Sequence, residues 1–313
     1  MSFHKKMAVR ISGLEFETPI LVASGVWPMD IKCWPSGATE GMGGFCTKGL
    51  TLKPKKGNPG IRIWETPCGI MNSIGLQNPG IDAFLSEEYP DLACLGIPLV
   101  FNLAFDTDEE LLRLLDRLRR TAGKVPVELN VSCPNVSSGG LSWAQDRTSL
   151  ERIVSMARRT WDGPLWVKLS PNVTSISASA LAVEKAGADA VTVANTWLGM
   201  AIDPKTLKPV FQNKYAGLSG PAVFPLTVRL VWEISSAARI PVIASGGISS
   251  WEDAVVVMAA GASAVQIGSA LFSDVRIISR IERGLSDFLD SKKIDSIVDL
   301  VGAAKDSGNN SNS

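Results

Sequence analysis

The sequence predicts an α/β fold, a single (β/α)8 TIM barrel with an N-terminal β-hairpin and long loops on its C-terminal rim. Two observations carry that expectation. Eight apolar runs of strand length recur along the 313 residues, each closing on polar residues or glycine, and their consecutive apolar positions suit parallel strands covered on both faces. Helical patterns separate most of them, and strand–helix alternation over this length fits a closed barrel, with a doubly wound open sheet as the alternative.

The start, MAVRISGLEFETP, alternates around Ser12-Gly13 and predicts a hairpin plugging the N-terminal face of the barrel. The strand runs follow: PILVAS (19–24), GFCTKG (44–49), PLVFNLA (98–104), VPVELNVS (125–132), PLWVKLS (164–170), DAVTVANT (189–196), PVIASGG (241–247) and SAVQIGS (263–269). Among the helices, TDEELLRLLDRLRRTAG opens with the capping box Thr107-x-x-Glu110, and SSWEDAVVVMAAGA has a start at Ser250 and Asp253 and a glycine at its end. Others are expected at about 148–160, 174–187, 222–238 and 274–290.

Two connections, 50–97 and 197–221, are longer than barrel closure needs, and both follow strand C-terminal ends, where long loops serve function. The stretch 254–273 carries no charge and could span a bilayer by length, but Gly261, Ser263, Gln266, Gly268 and Ser269 divide it into a helix, a turn and a strand. The expected organisation is one barrel domain over 1–303 and a disordered tail over 304–313, ending DSGNNSNS.

Lysine and arginine number 31 and aspartate and glutamate 31, so no positive field draws the chain to nucleic acid or an anionic membrane, and a small-molecule partner is expected. The five cysteines, at 33, 46, 68, 94 and 133, form no C-x-x-C pair, and no signal-peptide pattern is present. A reducing cytoplasm fits, with neither a disulfide framework nor a zinc knuckle. His4 is the only histidine, which argues against histidine triads and histidine metal sites.

Barrel chemistry sits at the C-terminal rim, and the residues ending the eight strands are Ser24, Lys48, Asn102, Asn130, Lys168, Asn195, Gly246 and Gly268. An asparagine alone is commonly a turn-former or cap. Lysine in an apolar strand, as in WVKLS, needs an anion or electron-rich ligand to offset its desolvation. The endings ASGGI and QIGSALF on consecutive strands suit a phosphate held by backbone N–H groups, hence a phosphate-bearing cofactor.

Together NSIGLQNPG (72–80), NVSCPNV (130–136), VKLSPNV (167–173), NT...GMAID (195–203), GLSGPA (217–222) and ASGGI (244–248) resemble the dihydroorotate dehydrogenase family of FMN enzymes, collinearly from about residue 7 to residue 303. NSIGLQNPG, with SCPNV followed by a glycine pair, looks most like the class 1B catalytic subunit. The resemblance implies oxidation of (S)-dihydroorotate to orotate in pyrimidine biosynthesis, with electrons passing to NAD through a partner. It places FMN against Ser24, Lys48, Asn102, Asn130, Lys168, Val193, Gly220, Gly246, Gly247, Gly268 and Ser269, the last four cradling the phosphate. It places substrate against Lys48, Asn72, Ser73, Ile74, Gly75, Leu76, Asn130, Asn195 and Thr196. One departure is SGVWPMDIKCW after the first strand, where the family is usually glycine-rich and aromatic.

The resemblance makes Cys133 the base. A free thiol has a pKa of about 8.5 and supplies some thiolate near neutrality, and the loop PNVSSGG is expected to close over bound substrate. Cys33, Cys46, Cys68 and Cys94 read as small buried apolar residues. Lacking an iron–sulfur cysteine cluster and G-x-G-x-x-G, the chain is expected to need a partner subunit carrying FAD and an iron–sulfur cluster, docked on a homodimeric core to give a heterotetramer. The alternatives are a class 1A-like homodimer that reduces fumarate, a non-redox phosphate-binding barrel isomerase or lyase, and a catalytically silent ligand-binding barrel.

Overall fold

A computed structural model of the chain describes residues 4–132, 134, 135, 141–143 and 146–305. Eight strands close a parallel barrel in chain order: Ile20–Val22, Gly44–Cys46, Leu99–Leu103, Val127–Asn130, Leu165–Lys168, Ala190–Val193, Val242–Ser245 and Ala264–Ile267, the last pairing with the first. Every residue of these strands is buried, because the interior fills one face and the helices cover the other. They are called below the first to the eighth strand.

The helical layer follows the amphipathic patterns. In Asp108–Thr121 the Thr107 hydroxyl accepts from the Glu110 amide, and Leu111, Leu114, Leu115 and Leu118 line the buried stripe. Deleting one such leucine side chain costs about 2–5 kcal/mol. Ser250 caps Trp251–Ala259 in the same way, accepting from the Asp253 amide. The uncharged stretch 254–273 thus holds most of that helix, a turn and the eighth strand, and among the described residues no helix is long and apolar enough to cross a membrane.

Val9–Ile11 and Leu14–Phe16 form the N-terminal hairpin, with Ser12 and Gly13 both at positive φ (52° and 82°), the conformation a two-residue turn between twisted strands requires. Phe16 packs against Trp166 of the fifth strand at 6.0 Å between ring centroids. The Trp166 indole donates to the Ser12 hydroxyl (3.0 Å), which donates to the Asp189 carbonyl (3.2 Å) just before the sixth strand. The hairpin therefore closes the end of the barrel opposite the strand C-termini.

The two long connections are not plain loops. Trp197–Met200, Tyr215–Ser219, Gly69–Asn72 and Ile63–Thr66 form, in that order, a four-stranded antiparallel sheet. One rim excursion therefore pairs with the other. Asn72 faces Gly217 in this register, which places the predicted substrate segment at the sheet's end.

The cysteine reading needs correction. Cys46 is buried, but Cys33, Cys68 and Cys94 are exposed. All three lie in connections outside the barrel strands, where no apolar layer covers them. Ala304 and Lys305 are hydrogen-bonded to the helical layer, through the Ala259 carbonyl and the Ser235 hydroxyl. Residues 306–313 lie outside the described residues.

Candidate functional site

The strand C-termini gather the polar residues expected there. Asn130 and Lys168 end the fourth and fifth strands and face each other in register. Asn195, just past the sixth strand, donates from its amide to Asn130 Oδ1 (3.2 Å), which also accepts from the Ser132 amide (3.3 Å). Asn195 Oδ1 in turn accepts from the Thr196 amide (2.8 Å), so the two asparagines are held in a fixed relation.

Lys48 lies two residues beyond the second strand, half-buried, and burial pushes its amine below the usual lysine range. It makes no ion pair with any described carboxylate, which leaves a desolvated cation facing the cavity. Gly25, at φ 83°, lies against it. That φ favours glycine, and a Cβ there would come 2.9 Å from Lys48 Nζ, so a larger residue would also displace the lysine head.

Two residues below Asn130, on the same face of the fourth strand, lies Glu128, wholly buried in the barrel. Its Oε1 accepts from Asn102 Nδ2 (2.7 Å) and from the Cys46 thiol (3.3 Å), and lies 4.0 Å from Lys168 Nζ. Its Oε2 accepts from Gln266 Nε2 (2.9 Å) and from the Thr192 hydroxyl. Burial alone would push this carboxyl up, but Lys168 and the hydrogen bonds from Thr192, Asn102 and Gln266 outweigh it and hold it below the usual carboxylate range. Burial, and then the adjacent Glu128 charge, push the Cys46 thiol well up, so Cys46 stays a protonated donor.

Sequence reasoning missed this cluster. The signal was available: a charged or amide side chain inside an apolar strand run, as in VELN and AVQI, needs buried partners.

A cavity of about 790 Å³ opens at the strand C-termini. Ser24, Lys48, Asn102, Asn130, Lys168 and Asn195 line it, with Asn72, Ile74, Gly75, Leu76 and Thr196 from the rim excursions and Gly246, Gly247, Gly268 and Ser269 from the last two strands. Three of the expected residues do not line it. Ser73 is held by Asn58 Nδ2 (2.9 Å to its hydroxyl), Val193 is buried within the sixth strand, and Gly220 packs on Gly69, where a Cβ would meet the Gly69 Cα at 2.6 Å. Cys133 lies outside the described residues.

The donor set fits a phosphate-bearing heterocycle. Gly246 and Gly247 take φ of 130° and 77°, open to glycine, and a Cβ on Gly268 would meet only the Ala23 Cβ at 3.9 Å, so backbone is accessible there at close range. At the other end of the cavity Asn102 Oδ1 is buried without a hydrogen-bond partner among the described residues, an acceptor that needs a donor.

The sequence matches the family model described as Dihydroorotate dehydrogenase over residues 6–289. The chain belongs to the dihydroorotate dehydrogenase family. Members similar to it include proteins named "Dihydroorotate dehydrogenase B (NAD(+)), catalytic subunit" from three organisms. That of Pelobacter propionicus is 44% identical over 297 residues, covering 95% of this chain and 98% of the relative. That of Geotalea daltonii is 42% identical over 299 residues (96% and 98%), and that of Anoxybacillus flavithermus 40% over 303 residues (97% and 97%). The matches run through the barrel, both rim excursions and the cavity lining.

Proposed function

We propose that this chain is the catalytic subunit of a dihydroorotate dehydrogenase, oxidising dihydroorotate to orotate in pyrimidine biosynthesis with FMN in the barrel mouth. The observation that carries the reading is the convergence on one cavity of Lys48, Asn102, Asn130, Lys168 and Asn195 with the glycine ends of the last two strands. The names of the relatives add the substrate and NAD. Electrons then pass to NAD through a partner subunit with FAD and an iron–sulfur cluster, docked on a homodimeric core in the cytoplasm, and residues 1–303 act as one barrel domain.

Gly246, Gly247, Gly268 and Ser269 would hold the FMN phosphate, with Ser24, Lys48, Asn102, Asn130 and Lys168 around the rest, while Val193 and Gly220, which do not line the cavity, would support its wall from behind. Bound FMN supplies the acceptor for the hydride that leaves the substrate. Lys48, desolvated and without a described counter-ion, matches the substrate carboxylate. The coupled amides of Asn130 and Asn195, with Asn72 and Thr196, offer the alternating donors and acceptors that a pyrimidine ring requires. The segment from Asn72 through Ser73, Ile74 and Gly75 to Leu76 would close the remaining side.

Cys133 takes the proton from the ring carbon next to the one that loses hydride. The thiolate is the form that can do so, and the proton ends on sulfur. Cys46 does not compete for this role, because its thiol is held protonated beside Glu128.

The test is anaerobic. Purified protein should be yellow, and dihydroorotate should bleach it; colourless protein that FMN does not reconstitute would overturn the reading. Turnover of the isolated chain then decides the acceptor. Efficient fumarate reduction would overturn the NAD-linked assignment, and efficient NAD reduction without a partner would overturn the electron path.

A further inference from the structure

We propose that Glu128 is a positioning residue of this site: its carboxylate fixes which end of the Asn102 and Gln266 amides faces inward. It thereby sets the acceptor that Asn102 turns to the ligand and the seat of the Lys168 charge. The inference rests on the FMN reading and deepens it.

An ionised carboxylate only accepts hydrogen bonds, so any amide against it must present its NH2. Asn102 Nδ2 lies 2.7 Å from Oε1 and Gln266 Nε2 lies 2.9 Å from Oε2. Turning either amide over would place oxygen against oxygen in a fully buried setting. The orientation of both side chains is therefore dictated from below the cavity.

Each amide passes the instruction upward. Gln266 is left with Oε1 free to accept, and it accepts from Lys168 Nζ at 3.2 Å. Asn102 is left with Oδ1, which is buried and has no partner within the described residues. Gly49 keeps the space beside that oxygen open, since a Cβ there would come within 3.1 Å of it. What the cavity offers at this point is a bare acceptor near a cation whose counter-charge is Glu128 itself.

A heterocycle that fits must carry a ring N–H toward Asn102 and electron-rich atoms toward Lys168. Oxidised FMN has one ring N–H, at N3, so that group is assigned to Asn102 Oδ1. The Glu128 charge also tempers the pull of Lys168 on incoming electrons.

Glu128→Gln keeps the shape and removes the charge. Its single NH2 must face either the Asn102 side or the Gln266 side, so one of the two amides loses its dictated orientation, and with it either the Asn102 acceptor or the seat of Lys168 is no longer fixed. FMN affinity, measured by flavin fluorescence quenching, should weaken about tenfold or more. The two-electron potential of the bound flavin should become more positive, because Lys168 loses its counter-charge. Thr192→Val is the control: it deletes one donor to Oε2 but leaves the carboxylate and both amides in place. That variant should lose stability while keeping FMN affinity within about twofold and the potential unmoved.

Folded Glu128→Gln with wild-type affinity and potential would overturn the proposal. So would Thr192→Val moving both readouts as far as Glu128→Gln, since the cluster would then act through packing alone. The wild-type chain supplies a test that does not depend on folding of a variant: FMN methylated at N3 should bind about tenfold or more weakly than FMN. Equal binding would overturn the assignment. Wild-type protein that binds no FMN refutes the proposed function, whereas FMN binding with these readouts unmoved refutes only the role of Glu128.

Discussion

Replacing Lys168 with methionine removes the ammonium 4.0 Å from the Glu128 carboxylate while keeping most of the side-chain volume, and both residues are nearly inaccessible (8% and 0% of the side chain). Breaking one side of a buried pair costs about 3–5 kcal/mol. Here Thr192, Asn102 and Gln266 still donate to the stranded carboxylate, so the low end, about 3 kcal/mol near pH 8, is expected. The pH dependence follows from the Glu128 shift. In the wild type its folded pKa is depressed, so it contributes stability above the unfolded value of about 4.3 that is lost as pH falls through the folded value. With the cation gone, burial prevails and the folded pKa rises above the unfolded one, so the variant is penalised more as pH rises. Each unit of that rise contributes about 1.4 kcal/mol at high pH. The gap between wild type and variant should therefore widen from pH 5 to pH 8, read by urea unfolding of the FMN-free proteins followed by tryptophan fluorescence. A gap below about 1 kcal/mol, or one equal at both pH values, would refute this electrostatic account of the barrel interior.

Cys133→Ala should retain FMN yet slow flavin reduction by dihydroorotate about 10²- to 10⁴-fold, and Cys133→Ser should recover partly as pH rises. Stopped-flow bleaching measures both, and near-normal reduction in the alanine variant excludes Cys133 as the base. Ser12→Ala removes the acceptor for the Trp166 indole and the donor to the Asp189 carbonyl at the far end of the barrel. It should cost about 2 kcal/mol in thermal or urea unfolding while leaving FMN affinity unchanged, and a loss of FMN affinity would contradict the separation of the two barrel ends.

The eight strands were legible because each is a short run with both faces buried, and the helices because Thr107 and Ser250 announce their starts. The strand-end residues followed from one rule about barrels. What escaped the sequence was pairing between distant segments. Nothing local in IWET or YAGLS says that the two rim excursions share a sheet, since their contacts join residues such as Asn72 and Gly217, 145 positions apart. Glu128 was hidden for the same reason: its partners arrive from five other strands or their ends, namely at Cys46, Asn102, Lys168, Thr192 and Gln266. The exposed cysteines were misread because residue type was used where position in the fold decides.

The sheet shared by the rim excursions has a consequence for how the chain can be divided. Barrels of this kind are often pictured as two half-barrels, and a cut between the fourth and fifth strands would be the natural one. Here such a cut would leave Ile63–Thr66 and Gly69–Asn72 on one fragment and Trp197–Met200 and Tyr215–Ser219 on the other. Each half would then carry an unpaired strand edge in place of a finished roof. Completion of the cavity thus becomes a report on reassembly itself, because the Gly69–Asn72 strand meets Tyr215–Ser219 only when both halves are docked in register.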